Sequence, residues 1–380
     1  MRILIYSAAF FPAKRCGGPP VSVDNFCTLM QKHMECYVVA SDHDLGDNKR
    51  YENISDGWND RGNAKVLYLS DSDFKSPKVI QEVIDEIEPD WIYFQSFFQT
   101  CVLPGLIVAK KNGNNVLLAT RGEMCEAAIN RKKYKKIPYI ALMRLFGLIN
   151  NVHFQSTSDD ETEGIKKWLK VTPNRIHKLD NIPSIVNRSY QYNEKREGEA
   201  KFVFLSRIHP IKNLSLALEF LRHVKGQLVF DIYGPIEDAA YWSNCQSIIN
   251  TLDNNAQVSY MGLASHDKVH EILSKYDALV FPTQSENFGH VIAESLAVGT
   301  PAIISDQTPW KDIDLYGAGR SISLNDTREF IKALQEIVYL DNEAMREKHE
   351  KAKSYFEAKM KIEELRLNYY NFFINNARFK

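Results

Sequence analysis

Short apolar runs alternate with amphipathic stretches along this chain, and the alternation starts twice. The first series opens at residues 2–7, where Ile3, Leu4 and Ile5 predict a strand that Phe10, Phe11 and Pro12 close. A helix is predicted over 21–30 and a buried strand at 37–40, a βαβ start. Strands at 91–94 and 116–119 then alternate with helices over 79–87 and 103–110. A strand at 153–155 precedes a helix running to 169, which opens on the capping-box pattern Ser158, Asp159, Asp160, Glu161. Residues 42–76 and 186–200 lack periodicity, and the second of these stretches reads as a linker between domains.

After the linker the pattern restarts. Strands are predicted at 202–205, 228–234, 258–260, 278–281 and 302–304, with helices over 214–221, 239–252, 266–273 and from Gly289 through Ala297. Continuous apolar strands between helices are the mark of a parallel sheet covered on both faces. The fold class is therefore α/β, with two doubly wound Rossmann-like domains. The expected division is 1–185, a linker at 186–200, 201–355, and a C-terminal helix at 356–380. That helix ends in an aromatic cluster (Tyr369, Tyr370, Phe372, Phe373) whose burial is expected against the first domain.

Composition narrows the class without naming it. At 380 residues the chain exceeds one ordinary core, and 44% apolar with 25% charged residues excludes wholesale disorder. A net charge of −1 argues against a dedicated nucleic-acid binder. Six cysteines without a C-x-x-C pair read as free thiols of a reducing compartment. The N-terminus lacks the shape of a signal peptide and no run of apolar residues is long enough to span a bilayer, so a cytoplasmic location is expected.

The candidate chemistry gathers where predicted strands end, the edge at which open α/β sheets bind ligands. The 280–301 stretch is strand, polar loop and helix start, with Glu286 in the loop and Glu294 one turn beyond His290. A helix N-terminus offers unpaired N–H groups and the positive end of a dipole, which suit a phosphate. Arg207 and Lys212 follow an earlier strand end and would add two cations, enough for a diphosphate. Glu294 is placed to accept from both hydroxyls of a ribose, and Glu286 to meet sugar hydroxyls. Gly234 and the Met261 to Leu263 stretch close two further strand ends. In the first half, Gly17 and Gly18 allow close backbone approach to a ligand but do not make a G-x-G-x-x-G fingerprint. Arg121 and Glu123 stand at another strand end. Two D-x-D stretches, Asp42 to Asp44 and Asp71 to Asp73, lie in polar loops without a following motif, so no metal site is expected from them. Between 127 and 158 there is no acid, while Arg131, Lys132, Lys133, Lys135, Lys136 and Arg144 lead into an apolar helix, a combination that suits an anionic membrane surface.

These residues together resemble the retaining glycosyltransferases of family 4, which have the GT-B fold. The resemblance is carried by Gly17 and Gly18, by Ser206 and Arg207 with Lys212 and Asn213, by Tyr233 and Gly234, and by Glu286, Asn287, Phe288 and Gly289 with Glu294. A bacterial surface-polysaccharide subgroup is similar also through Arg207 to Pro210, His290, and Ser305 to Trp310. The resemblance implies two domains facing a cleft, a nucleotide-sugar donor on the second and a glycan or lipid-linked acceptor on the first. It implies that Arg207 and Lys212 hold the diphosphate, helped by backbone N–H groups near Phe288, Gly289 and His290. Glu294 would take the ribose, Glu286 the donor sugar, and the Met261 to Leu263 loop the base, with no metal or other cofactor. The basic 131–146 segment adds the expectation of peripheral attachment to the inner face of the cytoplasmic membrane. Many relatives carry a histidine where Arg121 stands; arginine stays charged and cannot act as a base. Glu123 and Glu126 are the neighbouring alternatives for the acceptor side. Sugar-nucleotide epimerases share the architecture, and consumption of donor without acceptor would mark one. A non-catalytic binder would hold nucleotide without turnover.

Overall fold

Ile3, Leu4 and Ile5 are wholly buried in β1 (Arg2–Tyr6), the pivot of the first sheet in a computed structural model that describes residues 1–15, 18–186, 190 and 192–377. Around it lie β2 (Glu35–Ser41), β3 (Asn59–Asp60), β4 (Lys65–Leu69), β5 (Trp91–Phe94), β6 (Asn115–Ala119), β7 (Val152–Ser156) and β8 (Ile176–Lys178). The order is β3-β4-β2-β1-β5-β6-β7-β8, parallel except for the short edge strand β3. The chain runs outward from β1 to β2 and β4, then returns to β5 on β1's other side. Its switch point therefore lies between β1 and β5.

This first unit comprises Met1–Ile182 and Ile362–Lys380. The C-terminal helix Ile362–Asn375 belongs to it because its aromatic face completes the core. The indole Nε1 of Trp91 donates to Phe373 O at 3.1 Å, and the Tyr369 hydroxyl donates to Asp180 O at 2.9 Å. Phe26 packs its ring against both Tyr369 and Phe373. The junction falls at Lys361, whose left-handed φ of 41° ends the preceding helix Asn342–Met360. That helix lies in the second unit, so the segment returning to the first unit starts at Ile362 rather than at 356.

Among its described residues the second unit, Pro183–Lys361, holds six strands. They are β9 (Glu199–Leu205), β10 (Gln227–Tyr233), β11 (Ala256–Gly262), β12 (Ala278–Phe281), β13 (Ala302–Ser305) and β14 (Gly319–Ile322). All pairings are parallel and the order is β11-β10-β9-β12-β13-β14. Here too the winding reverses beside the first strand, between β9 and β12. Phe202, Phe204, Leu279, Val280 and Phe281 are wholly buried in those two strands, which explains why both read as unbroken apolar runs. β9 begins at Glu199, inside the stretch read as linker.

Candidate functional site

The two loops that leave β9 and β12 are tied together across the switch point. Gln284 N donates to Ile211 O at 2.8 Å, and Thr283 Oγ1 donates to the same oxygen at 3.1 Å. After β9, His209 Nδ1 accepts from Ile211 N at 3.2 Å and starts the 3-10 turn Pro210–Lys212. Asn213 closes that turn in the left-handed conformation. Lys212 is thereby fixed at the turn's end with its Nζ 2.7 Å from Glu286 Oε2. Only 11% of the lysine side chain and 19% of the glutamate side chain are exposed. Glu286 is held from the other side, where its N–H donates to Gln307 O at 3.0 Å. A cation and a carboxylate thus meet, largely dehydrated, where open α/β sheets take ligands.

The helix His290–Ala297 begins beside this pair. Gly289 precedes it at φ 79°, and a Cβ there would meet Ile292 Cδ1 at 2.9 Å and Glu286 Cγ at 3.2 Å. Glycine thus keeps the Glu286 side chain close to the helix start. Trp310 Nε1 donates to Phe288 O at 2.6 Å, and the Phe288 ring stands 4.8 Å from that of His290. Asn287 N donates to Glu286 Oε1 at 3.2 Å. The helix's first-turn N–H groups are directed toward its N-terminal end, as in any α-helix.

Glu294 lies on the second turn of this helix and is almost completely buried. Ser184 Oγ donates to its Oε1 at 3.0 Å. Burial pushes the carboxyl up to about 7 from an ordinary value of 4.5, and the serine hydroxyl opposes that shift. Between those two values the folded chain holds a proton that the unfolded chain has released. Stability therefore falls as pH rises through the window and stays lower above it. Glu294→Gln keeps an acceptor for Ser184 and carries no charge. The variant should be more stable than the parent above pH 7, by on the order of 2–3 kcal/mol, with the gain vanishing toward acid pH. Urea unfolding at two pH values measures it, and a gain that is the same at both would show that the carboxyl does not titrate there.

Arg207 stands at the end of β9 with its Nη1 2.9 and 2.7 Å from the two carboxylate oxygens of Glu237. Both side chains are about a third exposed, so water screens the pair. Gly234 follows β10 at φ 136°, so close to the residue after β9 that a Cβ would lie 1.9 Å from Ser206 O. At β11's end, Met261 in its last residues and Leu263 just beyond are half exposed and Ile236, after β10, is nearly so, an apolar lip on the same edge of the sheet. The second unit thus gathers Arg207, Lys212, Gly234, Met261, Leu263, Glu286 and Glu294 at the carboxyl ends of four neighbouring strands. Sequence reading missed Ser184 and Glu237, the partners of Glu294 and Arg207. Neither has periodicity or a motif around it.

In the first unit, Gly17 lies outside the described residues and Gly18 opens the helix Gly18–Met30. Arg121 follows β6 in a left-handed conformation, φ 49°. Its Nε donates to Gln95 Oε1 at 3.1 Å and its Nη1 to Asn181 Oδ1 at 2.7 Å. Glu123 accepts from Ser96 Oγ and from Phe97 N, both at 2.6 Å, which anchors the loop after β5. Burial raises its pKa against those bonds. The D-x-D acids have structural partners. Asp44 accepts from the N–H groups of Lys14 and Arg15, and Asp71 and Asp73 occupy the first turn of a short helix capped by Ser70.

Two doubly wound units in one chain, each a mainly parallel sheet between helices, define an α/β protein of GT-B fold. Residues 187–355 match the family model described as glycosyl transferases group 1. Over 191 residues the chain is 26% identical to the O-antigen chain mannosyltransferase RfbU of Salmonella typhimurium, an alignment covering 50% of this chain and 51% of that protein. The chain spans only part of the curated relatives it matches, 51%, 41% and 31% of three of them. Among solved structures, Anabaena HepE in complex with UDP and glucose shares the fold with a TM-score of 0.70, at 13% identity and over 99% of this chain and 100% of that one. WaaG, a glycosyltransferase involved in lipopolysaccharide biosynthesis, does so with a TM-score of 0.65 at 13% identity, covering 98% and 99% of the two chains.

Proposed function

We propose that this chain is a retaining, metal-independent glycosyltransferase of family 4 that builds surface polysaccharide. Its donor is a nucleoside-diphosphate sugar, UDP-linked first and GDP-linked second. Its acceptor is a glycan or lipid-linked glycan. The observation that carries the reading is the Lys212–Glu286 contact of 2.7 Å at the second unit's switch point. In a sugar nucleotide the phosphate and the sugar hydroxyls are likewise adjacent, so a neighbouring cation and carboxylate match both. The family match over 187–355 falls on this same unit. HepE's complex with UDP and glucose supports a nucleotide-sugar donor, and RfbU and WaaG support an envelope glycan as the product.

In this reading Lys212 and Arg207 bind the diphosphate and stabilise the negative charge that grows on it as the glycosidic bond breaks. The first-turn N–H groups of His290–Ala297 face the same charge. Glu286 takes hydroxyls of the donor sugar and Glu294 those of the ribose. The apolar lip of Ile236, Met261 and Leu263 flanks the base. Arg121 orients the acceptor rather than deprotonating it.

A thermal-shift panel of nucleotide sugars tests this. A ligand at 100 times its dissociation constant adds about 2.7 kcal/mol of stability, enough to see. We expect a shift with one base, its loss in Glu294→Ala, and transfer that persists in a chelator. If no nucleotide sugar stabilises the protein, or if Glu294→Ala leaves the shift intact, the proposed donor site is wrong.

A further inference from the structure

We infer that the first unit carries a separate carbohydrate site, a pocket for a neutral stretch of glycan built on Trp58 and Tyr37. The pocket holds about 400 Å³ and is lined by Tyr37, Trp58, Asp60, Lys65, Glu86 and Ile87. That volume falls within the roughly 300–1,000 Å³ of small-molecule sites. Backbone register sets its walls. Tyr37 of β2 pairs with Lys65 of β4, and Lys65 with Asp60 of β3. Glu86 and Ile87 end the helix Pro77–Ile87. The two aromatic rings stand 5.4 Å apart and nearly perpendicular, at 81°. Trp58 Nε1 donates to Glu86 Oε1 at 3.0 Å, and the Tyr37 hydroxyl donates to Glu35 Oε2 at 3.2 Å. Both aromatic side chains are thereby fixed while only half-buried. A ring held in place without being covered loses little entropy when a ligand packs on it.

Chemistry decides the occupant. A pyranose presents C–H bonds on its faces and hydroxyls around its rim. The indole and phenol rings supply an apolar platform for the faces, and the carboxylates of Asp60 and Glu86 accept from the hydroxyls. Two perpendicular aromatic rings beside carboxylates also suit an organic cation. Lys65 argues against that occupant, because its Nζ stands 5.6 Å from the centre of the Tyr37 ring and already supplies a cation there. Asp60 and Glu86 in the wall, with Glu35 on the Tyr37 hydroxyl, outnumber the single Lys65, so a neutral sugar is favoured over an acidic one. Tyr37 and Lys65 lie near the N-terminal ends of their strands, whereas Arg121 follows the C-terminal end of β6. In the order β2-β1-β5-β6 the outer two are three spacings apart, about 14 Å, and a five-residue strand such as β6 is about 17 Å long. The pocket is thus distinct from the strand-end residues described above. Only a glycan chain, not a single sugar, fills it and also reaches Arg121.

The pocket stands on the first unit alone, and it would keep a growing glycan attached while its end is extended if the proposed function holds. The test is saturation-transfer NMR on the full chain, without nucleotide, with maltotriose, a mannotriose and a galactotriose as probes. At least one of them is expected to bind at millimolar concentration. Trp58→Ala should weaken that binding at least about tenfold. The indole also packs on the first unit's core, so Glu86→Ala is tested beside it. That substitution changes only an exposed side chain, releases the indole edge and should weaken binding roughly threefold at an unchanged melting temperature. The inference is overturned if no trisaccharide binds, or if both variants hold the bound one as well as the parent does. Binding of tetramethylammonium in place of the sugars overturns it in favour of a cation cage. The readout uses neither donor nor transfer, so a failure here leaves the sugar-transfer reading standing, and an inert donor site leaves trisaccharide binding intact.

Discussion

Lys212→Met is expected to lower sugar transfer by roughly 10²–10³-fold, the effect of deleting one group that meets charge developing in a transition state. Methionine keeps the unbranched apolar stem of lysine as far as Cε but brings no cation to the departing diphosphate. The loss should fall mainly on turnover, because the charge being stabilised is larger in the transition state than in the ground state. The substitution has a second consequence that must be separated from the first. Glu286 is mostly buried and Lys212 Nζ stands 2.7 Å from it, so removing the amine strands a carboxylate, at a cost on the order of 3 kcal/mol. Lys212→Met/Glu286→Gln removes both charges and should regain most of that stability without regaining transfer. Chemical unfolding and a donor-consumption assay on the parent and both variants distinguish the two roles. Transfer by the double variant at the parental rate would remove Lys212 from the reaction. Arg207→Ala should cost less stability than either, since its pair with Glu237 is screened by water.

The second unit was legible for a definite reason. Its strands β9 and β12 are buried on both faces, so they appear as unbroken apolar runs, and the polar residues just after each run stand out. Arg207, Lys212, Glu286 and Glu294 all follow such runs, and strand order brings their loops together. The partners of these residues were not legible. Ser184 is 110 residues from Glu294, and nothing in Ile182, Pro183 and Ser184 announces a contact with a helix that far away. Glu237 is one of two adjacent acids in a turn, and only the fold shows which of them reaches Arg207. Strand β4 was lost inside the polar 42–76 stretch although Val66 and Tyr68 are buried in it, because Lys65 and the flanking acids dilute a five-residue signal. β14 is similar: Gly319, Arg320 and Ser321 carry little strand propensity, and the neighbouring β13 holds them in register. In the first unit Arg121 was recognised as a strand-end residue. Its two amide partners, Gln95 and Asn181, come from elements on either side of it in sequence.

Gly234→Ala is expected to be the most damaging single-methyl change at the site. At φ 136° the backbone occupies a region that L-residues rarely adopt, and the added carbon would lie 1.9 Å from Ser206 O. That oxygen belongs to backbone and cannot swing aside like the end of a side chain. Ser206 N donates to Tyr233 O at 3.0 Å, and Ile208 N to Pro235 O at 2.8 Å. Gly234 N donates to Gly262 O at 2.9 Å. Relief of the clash must therefore part β10 from β9 or from β11, just where Arg207 leaves the sheet. A loss on the order of 3–5 kcal/mol is expected, enough to lower the unit's melting temperature by roughly 10 °C. Gly289→Ala gives the control. Its φ of 79° is also positive, but the nearest atom is the flexible Ile292 Cδ1 at 2.9 Å. Its cost should stay near 1 kcal/mol. Urea unfolding of the two variants should rank Gly234→Ala well below Gly289→Ala, and nucleotide binding should weaken in both because both glycines shape the edge that carries Arg207 and Glu286. The reverse ranking would mean that the β9–β10 approach is looser in solution than its hydrogen bonds require.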